Sequence, residues 1–207
     1  MRALPHLTAK VFADKRRRRI GILGGSFNPA HAGHAHIADT ALKQLGLDEV
    51  WWMISPQNPL KSSADMAPFA ARFSSAMAAA SLSSYAKFMR ISKLEDASGL
   101  TQTALTLHHI TSRCPNARFV WVMGADNLAS FHHWHRPDLI AGKMAIAVVN
   151  RPGARAPGLG GRGARIAGRR LHPRRLAAAQ FPPRHWCFIN AKLNYHSASR
   201  IRAGKSA

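Results

Sequence analysis

The sequence predicts an α/β fold in which a doubly wound, mostly parallel sheet carries helices on both faces. Short runs rich in β-branched and aromatic residues recur along the chain. Stretches with helical character separate them, and this alternation is the pattern of a parallel sheet closed by crossover connections. At 207 residues the chain is long enough for one well-buried core, and its length argues for a single domain.

Ile20, Ile22 and Leu23 read as a first strand, and Gly24 and Gly25 as a tight turn with exposed N–H groups. Pro29 precedes a helical run beginning near Ala32, whose apolar spacing over Ala35–Leu45 ends at Gly46, a candidate C-cap. Glu49–Ile54 is a second strand, 56–61 a loop, and Ala67–Leu82, rich in Ala and Met, a helix. Phe88–Ser92 gives a third strand, Thr101–Ser112 a helix, and Phe119–Met123 the most apolar strand of all. Asp126 falls just past its end. Asp138–Gly142 is a short helical piece, Ala145–Val149 a fifth strand and Trp186–Ile189 a sixth. The Gly and Pro content of Arg151–Arg175 marks a mobile loop.

The net charge of +21 is unevenly spread: +6 over residues 1–19, +2 over 20–150, +9 over 151–185 and +4 over 186–207. The core is nearly neutral, and the excess belongs to a basic N-terminal arm (1–19), an Arg/Gly/Pro-rich segment (about 151–185) and the C-terminus. Such appendages attract polyanions incidentally. No aromatic RNA-binding strand motif or helix-turn-helix pattern accompanies them, which leaves an arginine-dependent RNA binder as the reading from a different class. Cys114 and Cys187 are too few and too far apart for a C-x-x-C pattern, and no disulfide is expected. The apolar runs are strand-length, and no apolar stretch follows the N-terminal positive charges as a secretion signal demands. A cytoplasmic protein with no membrane association is expected.

In parallel sheets ligands bind beyond the carboxyl ends of the strands. The segment from Ile20 to His34 puts a strand, a glycine turn and a helix start in that position, which is the makeup of an anion site. His31 and His34 fall one helical turn apart, so both imidazoles can face one ligand. A metal pair is the competing use, although no third ligand has matching spacing. Pro56–Lys61 follows the second strand and Gly124–Asp126 the fourth, so three separate segments converge on the same edge.

Gly24, Gly25, Ser26, Phe27, Pro29, His31 and His34 together resemble the glycine and HxGH signature of nucleotidylyltransferases, in particular the nicotinate-nucleotide adenylyltransferases. The resemblance implies a Rossmann-like fold and transfer of the adenylyl group of ATP to nicotinate mononucleotide, with Mg²⁺ delivered by ATP and pyrophosphate released. It implies that Gly24, Gly25, Ser26, Phe27, His31 and His34 bind ATP, with His31, His34, Lys61 and Arg202 catalytic. Lys61 matches the family's loop lysine, with Leu60 where relatives have histidine. Ser197-Ala-Ser-Arg-Ile-Arg202 resembles the second signature, so Ser197, Ser199 and Arg202 are expected on the ATP phosphates. Ala198 there removes one hydroxyl contact. Gly124-Ala-Asp-Asn-Leu128 matches a Gly-x-Asp-x-Leu pattern, making Gly124 and Asp126 nucleotide contacts. Asn28 (aspartate in many relatives), Lys61, Thr101, Asp126, Trp134 and His135 are expected to bind the mononucleotide, with Trp134 stacked on its pyridine. Thr101 and His135 would offer main-chain N–H groups to the carboxylate. The ATP half of the site does not separate this acceptor from nicotinamide mononucleotide or phosphopantetheine.

Overall fold

The computed structural model describes residues 16–55, 66–92, 103–151, 159–192 and 198. Seven strands form one sheet: β1 (Arg19–Gly25), β2 (Glu49–Ile54), β3 (Met89–Ser92), β4 (Arg118–Gly124), β5 (Ala145–Val149), β6 (Arg169–Leu171) and β7 (His185–Ile189). Their order is β3-β2-β1-β4-β5-β7-β6, and every neighbouring pair is parallel. The helices are α1 (Ala32–Leu45), α2 (Phe69–Ser81), α3 (Thr103–Arg113), α4 (Ala125–Ser130), α5 (Pro137–Lys143), α6 (Arg162–Ala167) and α7 (Pro173–Ala178).

Side chains alternate across a strand, so a sheet covered on both faces needs apolar residues at every position. β2 satisfies this with Val50 and Trp52 in one layer and Trp51 and Met53 in the other. The first layer packs under α1, α2 and α7, the second under α3, α4, α5 and α6. α1 stops where the sequence places its cap: Gly46 takes φ 58°, its N–H returns to the Leu42 carbonyl, and that of Leu47 does the same. Cys114 and Cys187 are buried thiols in opposite layers and form no disulfide. Burial pushes the Cys187 thiol up to about 12.

Three expectations are corrected. First, Gly24 and Gly25 are not the turn. β1 runs through both, paired with Met53 and Ile54, and the chain turns only from Ser26. Gly24 answers a packing need, because a Cβ there would collide with the Trp121 ring. Second, the Arg151–Arg175 loop holds α6, β6 and the start of α7. Its glycines mimic loop composition but serve close contacts. A Cβ on Gly163 would collide with the Leu128 carbonyl, and Gly168, at φ 98°, passes against the Arg184 carbonyl. Third, the basic arm ends earlier than residue 19. Arg19 opens β1, and Arg18 is buried against Glu49.

That Glu49 contact is part of a knot at the amino ends of the strands, opposite the candidate site. The Glu49 carboxylate accepts from Arg90 Nε (2.7 Å) and Nη2 (2.6 Å), from Trp51 Nε1 (2.7 Å) and from Arg18 Nη1 (3.3 Å). Burial raises its pKa, but the hydrogen bonds from Arg90 and Trp51 and the charges of Arg90 and Arg18 outweigh it and hold the carboxyl below its ordinary value of 4.5. A depressed carboxyl stabilises the folded state above its unfolded pKa, and that contribution is lost as pH falls through the folded value. Glu49→Gln is therefore expected to lower Tm at pH 7, with the gap from wild type closing below about pH 4; thermal melts across this range check it. Gly24→Ala is expected to cost about 1–3 kcal/mol in urea unfolding. Combined with Trp121→Leu it should cost less than the two changes summed, because the second removes the ring that the new methyl meets.

Candidate functional site

The strand order reverses between β1 and β4: from β1 the chain proceeds through β2 to β3, then returns to the other side of β1 as β4. A crevice opens at such a point beyond the carboxyl ends of the strands. The segments leaving β1 and β4, Ser26–His31 and Ala125–Ser130, both lie there.

The β1 segment is held rigidly. Phe27 sits at φ 46°, a left-handed conformation that a non-glycine residue keeps only when its surroundings enforce it. Its ring is 1% exposed, stacked on Trp52 at 5.3 Å and 4.9 Å from the His34 ring. Asn28, expected on the mononucleotide, is 7% exposed and its Oδ1 accepts the Ala67 N–H at 3.2 Å. The Asn28–Pro29 peptide is cis, and the Ala30 N–H donates to Ser75 Oγ at 3.0 Å. Ser26 is buried beside them.

The two histidines are joined through the start of α1. His31 is its N-cap: Nδ1 accepts from the Gly33 N–H at 3.1 Å, while the His31 N–H donates to Nδ1 of His34 at 3.2 Å. This is a capping box built from imidazoles, with His34 at the position usually filled by Glu or Gln. Each neutral ring spends Nδ1 as an acceptor, so its proton resides on Nε2. The rings lie 4.0 Å apart. No acidic residue occupies the first turn of α1, whose amino end carries the positive pole of the helix. Two imidazole N–H donors at a helix start are suited to receiving an anion.

On the β4 side, Gly124 precedes α4 and Asp126 lies in its first turn. Asp126 pairs with Arg151, which follows β5, at 3.1 Å. The pair leaves no room for a side chain at Gly124, where a Cβ would lie 2.5 Å from Asp126 Oδ1 and 2.7 Å from Arg151 Cδ. Trp134 is half-buried, edge-on to Trp121 (6.0 Å) and Phe131 (5.5 Å). Because Trp121 also covers Gly24, Trp134 is linked to β1 through one intervening ring. His135 is exposed. Among the described residues no group of three or more His, Cys, Asp or Glu side chains gathers as a metal site. Lys61, Thr101, Ser197, Ser199 and Arg202 lie outside the described residues.

Sequence reading gave neither Arg72 nor Arg151 a role of its own. Arg72 had a signal: it falls on the apolar stripe of its helix with Phe69, Phe73, Ala76 and Ala80, and it is 2% exposed. Arg151 lies in the Val149–Gly153 stretch, which resembles the family, but nothing in the sequence pairs it with Asp126.

Comparison with known proteins agrees with this geometry. The cytidylyltransferase-like family model matches residues 22–204. A probable nicotinate-nucleotide adenylyltransferase of Roseobacter denitrificans is 43% identical over 188 residues, covering 89% of this chain and 91% of the relative. One from Gluconobacter oxydans is 42% identical, with 89% and 93% covered. Among solved structures, the Plasmodium falciparum nicotinic acid mononucleotide adenylyltransferase complexed with NaAD superposes with a TM-score of 0.68 at 21% identity. That match covers 90% of this chain and 83% of the other, a likeness of fold. From strand order, site geometry and relatives together, the chain belongs to the nicotinate-nucleotide adenylyltransferases of the cytidylyltransferase-like family.

Proposed function

We propose that this protein transfers the adenylyl group of ATP to nicotinate mononucleotide, giving deamido-NAD and pyrophosphate in NAD biosynthesis. A phosphate oxygen of the mononucleotide attacks the α-phosphorus of ATP. The new O–P bond forms in line with the breaking bond to the β-phosphate, whose electrons leave with pyrophosphate. No covalent enzyme intermediate is required. The protein's task is to hold two anions together and to stabilise the charge of the transition state.

The reciprocal His31–His34 cap carries this reading. It supports Nε2–H donation from both rings to the ATP phosphates beside Gly24, Gly25, Ser26 and Phe27, with the His34 contact strongest in the transition state. Lys61, Ser197, Ser199 and Arg202 are assigned to the phosphates by their motif matches, with Arg202 as a permanent charge for the departing pyrophosphate. On the acceptor side we assign Asn28, Lys61, Thr101, Trp134 and His135. Gly124 and Asp126 stand between the two nucleotides, and the Arg151 pair holds the Asp126 carboxylate in place. Mg²⁺ enters as MgATP, bound mainly by phosphate and water. No helix among the described residues is long and apolar enough to cross a membrane. The work is assigned to the cytoplasm, with nucleic-acid contact incidental to the basic segments.

Pyrophosphate release from MgATP, compared across nicotinate mononucleotide, nicotinamide mononucleotide and phosphopantetheine with products identified by mass, tests the acceptor. Strong preference for the first is expected, and preference for either other acceptor overturns the assignment while leaving adenylyl transfer standing. For the histidines, His34→Gln retains a capping side chain and removes the imidazole donor. Its Tm should stay near wild type while kcat falls by about 10²–10³. His34→Ala should lose the same activity and also about 1 kcal/mol of stability. Undiminished kcat in His34→Gln would leave His34 as a cap alone.

A further inference from the structure

We propose that Arg72 is a positioning residue for adenylyl transfer, its buried guanidinium setting the segment that carries His31 and His34 against the exit of β2 and the start of α2. Its partners define the role. Arg72 Nη1 donates to the Ser26 carbonyl at 2.8 Å and to the Ser55 carbonyl at 2.6 Å, and Nε donates to the Ala67 carbonyl at 2.9 Å. Ser26 is the first residue beyond β1, five before His31. Ser55 is the first beyond β2, six before Lys61. One planar group thus fastens both strand exits to the start of α2.

Two further bonds reinforce the same platform. Ala67, whose carbonyl Arg72 holds, donates its N–H to Asn28, and Ser75, one turn along α2 from Arg72, accepts from Ala30. The Ser26–His31 segment is therefore bonded to the Ala67–Ser75 region through Asn28, Ala30 and the Ser26 carbonyl, and Arg72 also reaches the exit of β2. The Phe69 ring lies 5.4 Å from the guanidinium carbon, close enough for a cation–π contact. Arg72 stands on an otherwise apolar helix face, where an apolar residue would fill the core without the cost of burying a charge. What an apolar residue could not supply is a set of donors in fixed geometry for carbonyls from different segments. A lysine carries its donors on one rotatable nitrogen and cannot reproduce that fork.

The consequence belongs to the reacting state. Adenylyl transfer needs the His31 and His34 donors held against the phosphates in the reacting geometry, and their displacement by about 1 Å costs on the order of 10²-fold in rate. Displaced donors can still contact MgATP, so ground-state binding depends less on their exact position.

This inference rests on the adenylyl-transfer reading, and the experiment separates the two. Arg72→Met and Arg72→Lys are prepared in the full chain, with Ile110→Ala, a core truncation on the other face of the sheet, as a control for lost stability. Tm, kcat, and KM for MgATP and for nicotinate mononucleotide are measured where circular dichroism shows each protein folded. Arg72→Met is expected to lose kcat by about 10²-fold with a much smaller change in KM for MgATP. Arg72→Lys should fall between it and wild type, and Ile110→Ala should keep kcat despite its lower Tm. If Arg72→Met does not fold, Arg72→Lys carries the same comparison. A kcat in the Arg72 variants matching the Ile110→Ala control, or a loss confined to Tm, overturns the positioning role. Absence of turnover in the wild-type protein overturns instead the reading on which it rests.

Discussion

Covering both faces of an all-parallel sheet is the constraint from which the site follows. Each crossover must carry the chain back to the amino end of the sheet before the next strand, so every strand exit points toward one edge. Winding outward from β1 in both directions then separates the connections that leave β1 and β4, and the gap between them is where a ligand fits. The two core layers hold this arrangement. Trp51 and Trp52 show the demand most plainly, as adjacent residues of one strand that are both fully buried, one in each layer. The Glu49 knot fastens the opposite edge, tying the approach to β1 to β2 and β3 through a single carboxylate. Stability and chemistry are thereby kept at different ends of the same strands.

At the site edge, local structure and chemistry use the same atoms. A helix start needs acceptors for its first N–H groups, and short oxygen-bearing side chains ordinarily supply them. Here His31 and His34 do so through Nδ1, which fixes the tautomer and the orientation of both rings in one stroke. A donor that is oriented before the substrate arrives stabilises developing charge without a reorganisation cost. In the proposed reaction the cap thereby prepares the imidazole donors, and the Phe27–Trp52 stack and the Arg72 bonds hold the cap in position.

Much of this was legible in the sequence because its signals are dense. Six of the seven strands announce themselves as apolar runs, and Gly46 ends α1 as its place after the periodic stretch requires. The convergence of the segments after β1 and β4 was readable from strand–turn–helix order alone. What was not legible depends on partners distant in sequence. The need for glycine at position 24 is created by Trp121, nearly a hundred residues later. Asp126 pairs with Arg151 across β5, and Arg72 bonds to carbonyls, which sequence does not distinguish from one another. His31 as a cap was hidden for a different reason: histidine is not among the usual capping residues, so its chemistry drew notice and its structural duty did not.

The Arg/Gly/Pro-rich stretch shows how composition can mislead when one residue type has two uses. β6 is only three residues long and stands at the edge of the sheet, where unpaired backbone groups invite pairing with another chain. Short length and flanking positive charge both discourage such pairing, and Arg169 and Arg170 provide the charge on the strand itself, both exposed. Arg170 also lies 5.3 Å over the Trp186 ring of β7, so its stem and planar head cover apolar surface that an outermost strand of three residues leaves open. The glycines around it let α6 approach α4, and let the chain enter β6 past Arg184. Arginines that guard an edge and glycines that permit close packing give the same composition as a solvated linker. The distinction lies in what stands opposite each residue, and for a strand this short no periodicity is available to reveal it.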